Sequence, residues 1–169
     1  MGRLTALLLA LGAVLGLTAS ITTPAYADTT VRLCVISNGT VNINPGVHLS
    51  DGDSVNVALN GSGNLTGCGS GLTGTFTFTG TATMGCTGGS AVDLTWTVNW
   101  SNGKTSTVTT SGVQVALNGT YFGKTTSGDL AGTNVVSVQI ANFDFARCSY
   151  RAGLTQVNLS GNLEFVQVA

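Results

Sequence analysis

The sequence predicts an all-β fold, an antiparallel β-sandwich of immunoglobulin-like or Greek-key type stapled by two disulfides. Three observations carry that expectation. Period-two alternation recurs along residues 28–169, and no segment shows a convincing helical period. The alternating runs are short, and Gly, Asn, Asp and Ser turns separate them every 8–14 residues or so, at about the spacing of sandwich and barrel strands. Cys34, Cys68, Cys86 and Cys148 form an even set. A sandwich is preferred to a barrel because two opposed inner faces use both the aromatic and the aliphatic stripes.

Residues 1–27 read as a secretory signal peptide. Arg3 is the positive n-region, residues 7–17 are an apolar h-region, and Ala25-Tyr26-Ala27 is a small-x-small cleavage site. The apolar run is too short and too rich in Ala and Gly for a good membrane span. The expected mature chain begins at Asp28, and residues 28–169 form a single secreted, extracellular domain large enough to bury a core.

The first expected strand covers residues 31–36 and continues through 40–43, with Pro45-Gly46 marking a loop after it. Strand 54–59 alternates through Val55, Val57 and Leu59. Strand 73–84 alternates through Phe76, Phe78, Ala82 and Met84, across a Gly80 that suggests a bulge. The cleanest alternation is 91–100, with Val92, Leu94, Trp96, Val98 and Trp100 on one face and Asp93, Thr95, Thr97 and Asn99 on the other. Asn102-Gly103 then suits a tight hairpin turn into strand 105–110. Further strands are expected at 113–117, 120–124, 134–141 and 156–168. Val136, Val138 and Ile140 share one phase while Phe143 and Phe145 take the other, which places an irregularity near Asn142. A similar change of phase places another near Phe165.

Zinc ligation needs close Cys/His pairs. The cysteine gaps here are wide and His48 is the one histidine, so two disulfides are expected and no metal or other cofactor. Strand parity proposes Cys34–Cys68 and Cys86–Cys148. If Asn118-Gly119 is a hairpin turn, Cys148 arrives beside Cys86; without that turn it falls at the Cys34 end.

Charge excludes some partners. Charged residues are 8% of the chain, against roughly a quarter in ordinary domains. Loss of Arg3 with the signal leaves a small negative balance, with no basic face for nucleic acid and no polybasic segment for lipid. No membrane association is expected after cleavage.

No catalytic constellation emerges, and the chain is read as a non-enzyme. His48 is the one candidate imidazole base, and no Gly-x-Ser-x-Gly elbow accompanies it. Glu164 is the one glutamate, Asp93 and Asp144 lack acidic neighbours, and Asp51 with Asp53 supplies too few oxygens for calcium. Exposed aromatic rings stack on sugars or small apolar molecules, which makes Trp100, Tyr121 and Tyr150 candidate binding residues, although the buried stripe shared with Leu94 and Val98 is the better reading for Trp100, and Tyr121 and Tyr150 suit either role.

The order of features resembles an uncharacterised family of small secreted actinobacterial β-sandwich proteins with four cysteines. The resemblance rests on Cys34 before Pro45-Gly46, on Cys68 and Cys86 after successive strands, and on the Trp100-Ser101-Asn102-Gly103-Lys104-Thr105-Ser106 hairpin. It continues through Gly128-Asp129-Leu130-Ala131-Gly132 and Cys148 followed by Gly153-Leu154-Thr155, and so covers nearly all of residues 28–169. It implies the fold and an extracellular location, and carries no activity.

Three roles follow as expectations. The first is a non-catalytic structural or interaction protein with an extracellular partner. The second is a module for a glycan, such as a cell-wall polymer, or for a small ligand. The third is a small hydrolase inhibitor acting through residues 146–152 around Cys148. A concave aromatic strip favours the second, a protruding bridged loop the third, and an even polar surface the first.

Overall fold

The computed structural model describes residues 29–52, 55–115, 118–142 and 144–168. The expected signal peptide, Asp28, Ser54, Leu117 and Phe143 lie outside the described residues. Eight strands follow in chain order: β1 (Thr29–Val47), β2 (Val55–Thr66), β3 (Gly74–Met84), β4 (Gly88–Trp100), β5 (Thr105–Val115), β6 (Asn118–Gly128), β7 (Asn134–Asn142) and β8 (Leu154–Val168). Short 3-10 turns occupy Leu49–Asp51 and Phe145–Ser149.

Each strand pairs antiparallel with its neighbours in sequence. β8 then returns to β1, from Thr29↔Val168 to Val47↔Leu154. The sheet closes into an eight-stranded up-and-down barrel, which corrects the expected sandwich. Alternation reports that each strand has one dry face. It does not report whether those faces belong to two stacked sheets or to one curled sheet.

Glycines at inward positions allow the curl. Gly61 and Gly63 of β2 lie under the rings of Phe78 and Phe76, where an added Cβ would come within 2.4 and 2.6 Å of ring carbons. At Gly112 of β5 and Gly123 of β6 it would meet main-chain oxygens of the neighbouring strand at 2.1 and 1.8 Å. Bare backbone at these points lets strands bend and approach closely enough to close at eight.

The core fills the barrel. Trp96 is fully buried, with its ring centroid 5.2 Å from Phe76 and 4.7 Å from Phe78. Its indole N–H donates to Thr110 Oγ1 at 3.0 Å. The whole β4 stripe from Val92 to Trp100 is buried as its alternation predicts. Cys34–Cys68 staples the rim where β1 begins, here the lower rim. Cys86–Cys148 staples the upper rim, tying the β3–β4 turn to the second 3-10 turn. This connectivity is the one strand parity proposes.

Several local expectations are corrected. Segments 105–110 and 113–117 belong to one strand, β5, as far as it is described. Asn118 and Gly119 are already paired in β6 (Val115↔Asn118, Gln114↔Gly119), so they are strand residues and not the hairpin turn expected there. The parity argument survives because a reversal still separates β5 from β6. Pro45-Gly46 lies within β1, and the chain turns after Val47. Gly80 pairs in register with Leu94; the bulge lies in β4, around Ala91 with φ 48°. No phase change occurs near Phe165, because Val157, Leu159, Leu163 and Phe165 all face inward. The irregularity is instead in β1 at Asn38, φ 50°. β7 ends at Asn142, and the chain then enters the Phe145–Ser149 turn.

The largest correction concerns the faces of β7. Val138 and Ile140 point outward and are exposed, while Val135, Ser137, Gln139 and Ala141 are buried. The larger apolar residues of the Val136–Ile140 stripe are thus on the wet side, and Val135 and Ala141 are the apolar residues of β7 that reach the core.

Candidate functional site

Beneath the upper rim the interior holds a cavity of about 40 Å³. Ile43, Leu59, Phe78, Leu94, Val157 and Leu159 form an apolar wall, and Met84, Cys86 and Leu154 lie towards the rim. The opposing wall is polar, and strand register builds it. Gln114 of β5 pairs with Gly119 of β6, which pairs with Gln139 of β7, which pairs with Gly161 of β8. Two inward glutamines thus alternate with two glycines along one rung of the barrel.

Tyr121, two residues along β6, lays its ring over Gly119, where an added Cβ would come within 2.4 Å of the phenol oxygen. Its hydroxyl donates to Gln114 Oε1 over a long 3.5 Å. Burial pushes the phenol from its ordinary 10.0 up to about 12, so it is a neutral donor at neutral pH.

The orientation of Gln139 follows from its neighbour. Ser137 has one hydroxyl hydrogen and donates it to Asn162 O at 3.1 Å. Ser137 Oγ therefore accepts from Gln139, whose Nε2 lies 2.9 Å away. The Gln139 carbonyl oxygen is left with no donor among the described residues, in a side chain only 4% exposed that lines the cavity.

The expected binding aromatics do not converge. Tyr121 lines the cavity but is buried. Trp100 is buried at the lower rim, donating to Ser106 Oγ at 2.8 Å and meeting Phe165 edge-on at 5.7 Å. Tyr150 is exposed on the upper rim. Trp100 and Tyr121 thus lie inside the barrel at opposite ends, and only Tyr150 of the three presents its ring to the outside. Gln114 and Gln139 escape sequence reasoning because each stands between apolar residues, Val113 and Val115 in one case and Val138 and Ile140 in the other. A lone polar residue in such a triplet reads as the outward one. An inward glycine on the neighbouring strand was the available signal.

The remaining candidates make structural contacts. His48 Nδ1 lies 3.3 Å from Asp51 Oδ2 and Nε2 lies 3.3 Å from Arg151 O, so the imidazole joins the two upper-rim loops. Asp144 Oδ1 accepts from Ala146 N–H at 3.0 Å and caps the second 3-10 turn. Residues 146–152 form consecutive tight turns closed by Tyr150 N–H to Arg147 O and Gly153 N–H to Tyr150 O. That shape differs from the extended strand a cleft-filling inhibitor presents. Asp53 lies outside the described residues, and no group of three metal-ligating side chains occurs among the described residues.

Comparison with family models, with curated proteins and with solved structures found no match.

Proposed function

We propose that the chain is a secreted, non-catalytic binding protein that takes a small molecule with an apolar body and one hydrogen-bond-donating edge into the upper half of its barrel. The Gln139 carbonyl oxygen carries this reading: its side chain lines the cavity opposite the apolar wall with its amide N–H committed to Ser137, and a ligand O–H or N–H that reaches the oxygen forms a hydrogen bond worth about 0.5–1.5 kcal/mol. Eight-stranded barrels are wide enough either to fill with side chains or to hold one small ligand, and this one combines a filled lower half with a cavity above. The two disulfides fit an oxidising compartment. The outward faces of β2, β3 and β4 are mostly Asn, Thr and Ser around an apolar interior, the reverse of a barrel built to face lipid.

The cavity sets the ligand's size. At about 40 Å³ it holds about three or four waters at ~10–15 Å³ each, or a few non-hydrogen atoms of ligand. Met84, unbranched and near the rim, is the side chain best able to swing and enlarge it. The test is a titration followed by methyl NMR at Leu59, Leu94 and Leu159, using xenon and cyclopentane as apolar probes and isobutanol and cyclopentanol as hydroxyl-bearing ones. Saturable shifts are expected, tighter for the alcohols, and Gln139→Leu should remove that preference. If no probe shifts these methyls saturably, the cavity holds only water and the reading fails.

A further inference from the structure

The two disulfides differ in what they join. Cys34–Cys68 links neighbours, β1 and the chain just after β2, at the lower rim. Cys86–Cys148 links the β3–β4 connection to the β7–β8 connection. In a closed ring of eight strands those two connections start from opposite sides of the mouth. Strands about 4.8 Å apart and tilted by about 40° make a ring roughly 16 Å across. The Cα atoms of Cys86 and Cys148 are nevertheless 6.2 Å apart. The chain is therefore carried inward over the mouth to make this bridge, and its Cys86 half lines the cavity beneath.

Residues 144–153 make the crossing. Of residues 144–152 only Cys148 is buried, so the segment enters the interior through one side chain. Its far end sits flush against the end of β1. An added Cβ at Gly46 would come within 2.1 Å of Ala152 O, and one at Gly153 within 2.7 Å of Val47 O. There the half-buried His48 adds a second tie, with Nε2 3.3 Å from Arg151 O.

We infer that residues 144–153 are a strap across the mouth of the cavity, fastened chiefly by Cys86–Cys148 and secondarily by His48, and that the strap sets how fast a ligand enters and leaves. This rests on the reading of the cavity as a ligand site. The walls below set affinity, because Gln139 and the apolar lining belong to the strands and not to the strap. Loosening a fastener therefore speeds entry and exit together. The bridge closes the end of the barrel that holds the cavity, whereas the lower bridge lies at the filled end.

Cyclopentanol exchange with the oxidised protein, followed by methyl NMR at Leu59, Leu94 and Leu159, tests this. Cys86→Ser with Cys148→Ser should raise both rates by roughly tenfold or more and leave Kd nearly unchanged. His48→Ala should raise both by a smaller factor. Cys34→Ser with Cys68→Ser, which removes a crosslink at the other end, should leave them as in the parent. Far-UV circular dichroism checks folding, and His48→Ala keeps both bridges, so it tests the strap even where the bridge variant does not fold. Equal rates in the parent and the upper-rim variants overturn the inference. So does equal acceleration by the lower-rim variant. If cyclopentanol does not bind the parent, the ligand reading fails, and the strap is judged by relaxation of the Met84 and Leu94 methyls by dissolved oxygen. That relaxation should strengthen in the upper-rim variants, and no change there overturns the strap as well.

Discussion

Tyr121 shows how a single residue is tied to its surroundings. Its ring needs a glycine to lie on, its oxygen meets Gln114, and its burial withholds the phenol from ionisation. Unfolded, the phenol loses its proton near 10.0; folded, it holds it to about 12. Between those values the unfolded chain binds fewer protons than the folded one, so stability falls as pH rises. The contribution is complete below pH 10 and lost by about pH 12, on the order of 2–3 kcal/mol. Urea denaturation of the parent and of Tyr121→Phe at about pH 9 and about pH 11 checks this. The parent should lose more stability across the interval, and equal losses would contradict the burial-driven shift.

Individual strands show which features were legible in the sequence. The β4 stripe and the Asn102-Gly103 hairpin read correctly because the alternation there is unbroken and the dry face is also the apolar one. β7 misled because Val138 and Ile140 face outward while Ser137 and Gln139 face in, so alternation identified the strand without identifying its dry face. Gly80 suggested a bulge, yet it sits in register where β4 approaches closely: an added Cβ would come within 2.0 Å of the Asp93 main-chain oxygen and 2.8 Å of Leu94 Cδ2. The actual bulge, at Ala91, leaves no trace in composition because an ordinary alanine holds φ 48°. Left-handed backbone costs a non-glycine residue about 1–2 kcal/mol, partly offset by the extra unfolded-state freedom of glycine. Ala91→Gly, at an exposed site, is therefore expected to stabilise the fold by about 0.5–1 kcal/mol in chemical denaturation. A loss of stability would mean the alanine methyl makes contacts that outweigh the strain. The candidate site was less legible than the fold, because its wall is assembled from single residues on four strands and only closure brings them together.

For the molecule as a whole, the bridges are placed to hold both rims. Cys86–Cys148 spans 62 residues and Cys34–Cys68 spans 34, so each is worth about 4 kcal/mol in the chain-entropy model, the wider slightly more. Replacing Cys86 and Cys148 together by alanine should lower the unfolding free energy by about that amount and leave the Cys34–Cys68 bridge intact on non-reducing peptide mapping. A negligible loss would show that the upper rim is held by other contacts. Pairing β1 with β8 also orders events in time. A chain made from its N-terminus exposes Cys34 and Cys68 together early, whereas Cys148 emerges only shortly before the strand that seals the barrel. Until β8 arrives, β1 is an open edge able to recruit any neighbouring chain. The first bridge therefore dates the opening hairpin and the second dates closure, and a half-oxidised chain is an unfinished one whose first strand is still waiting for its last.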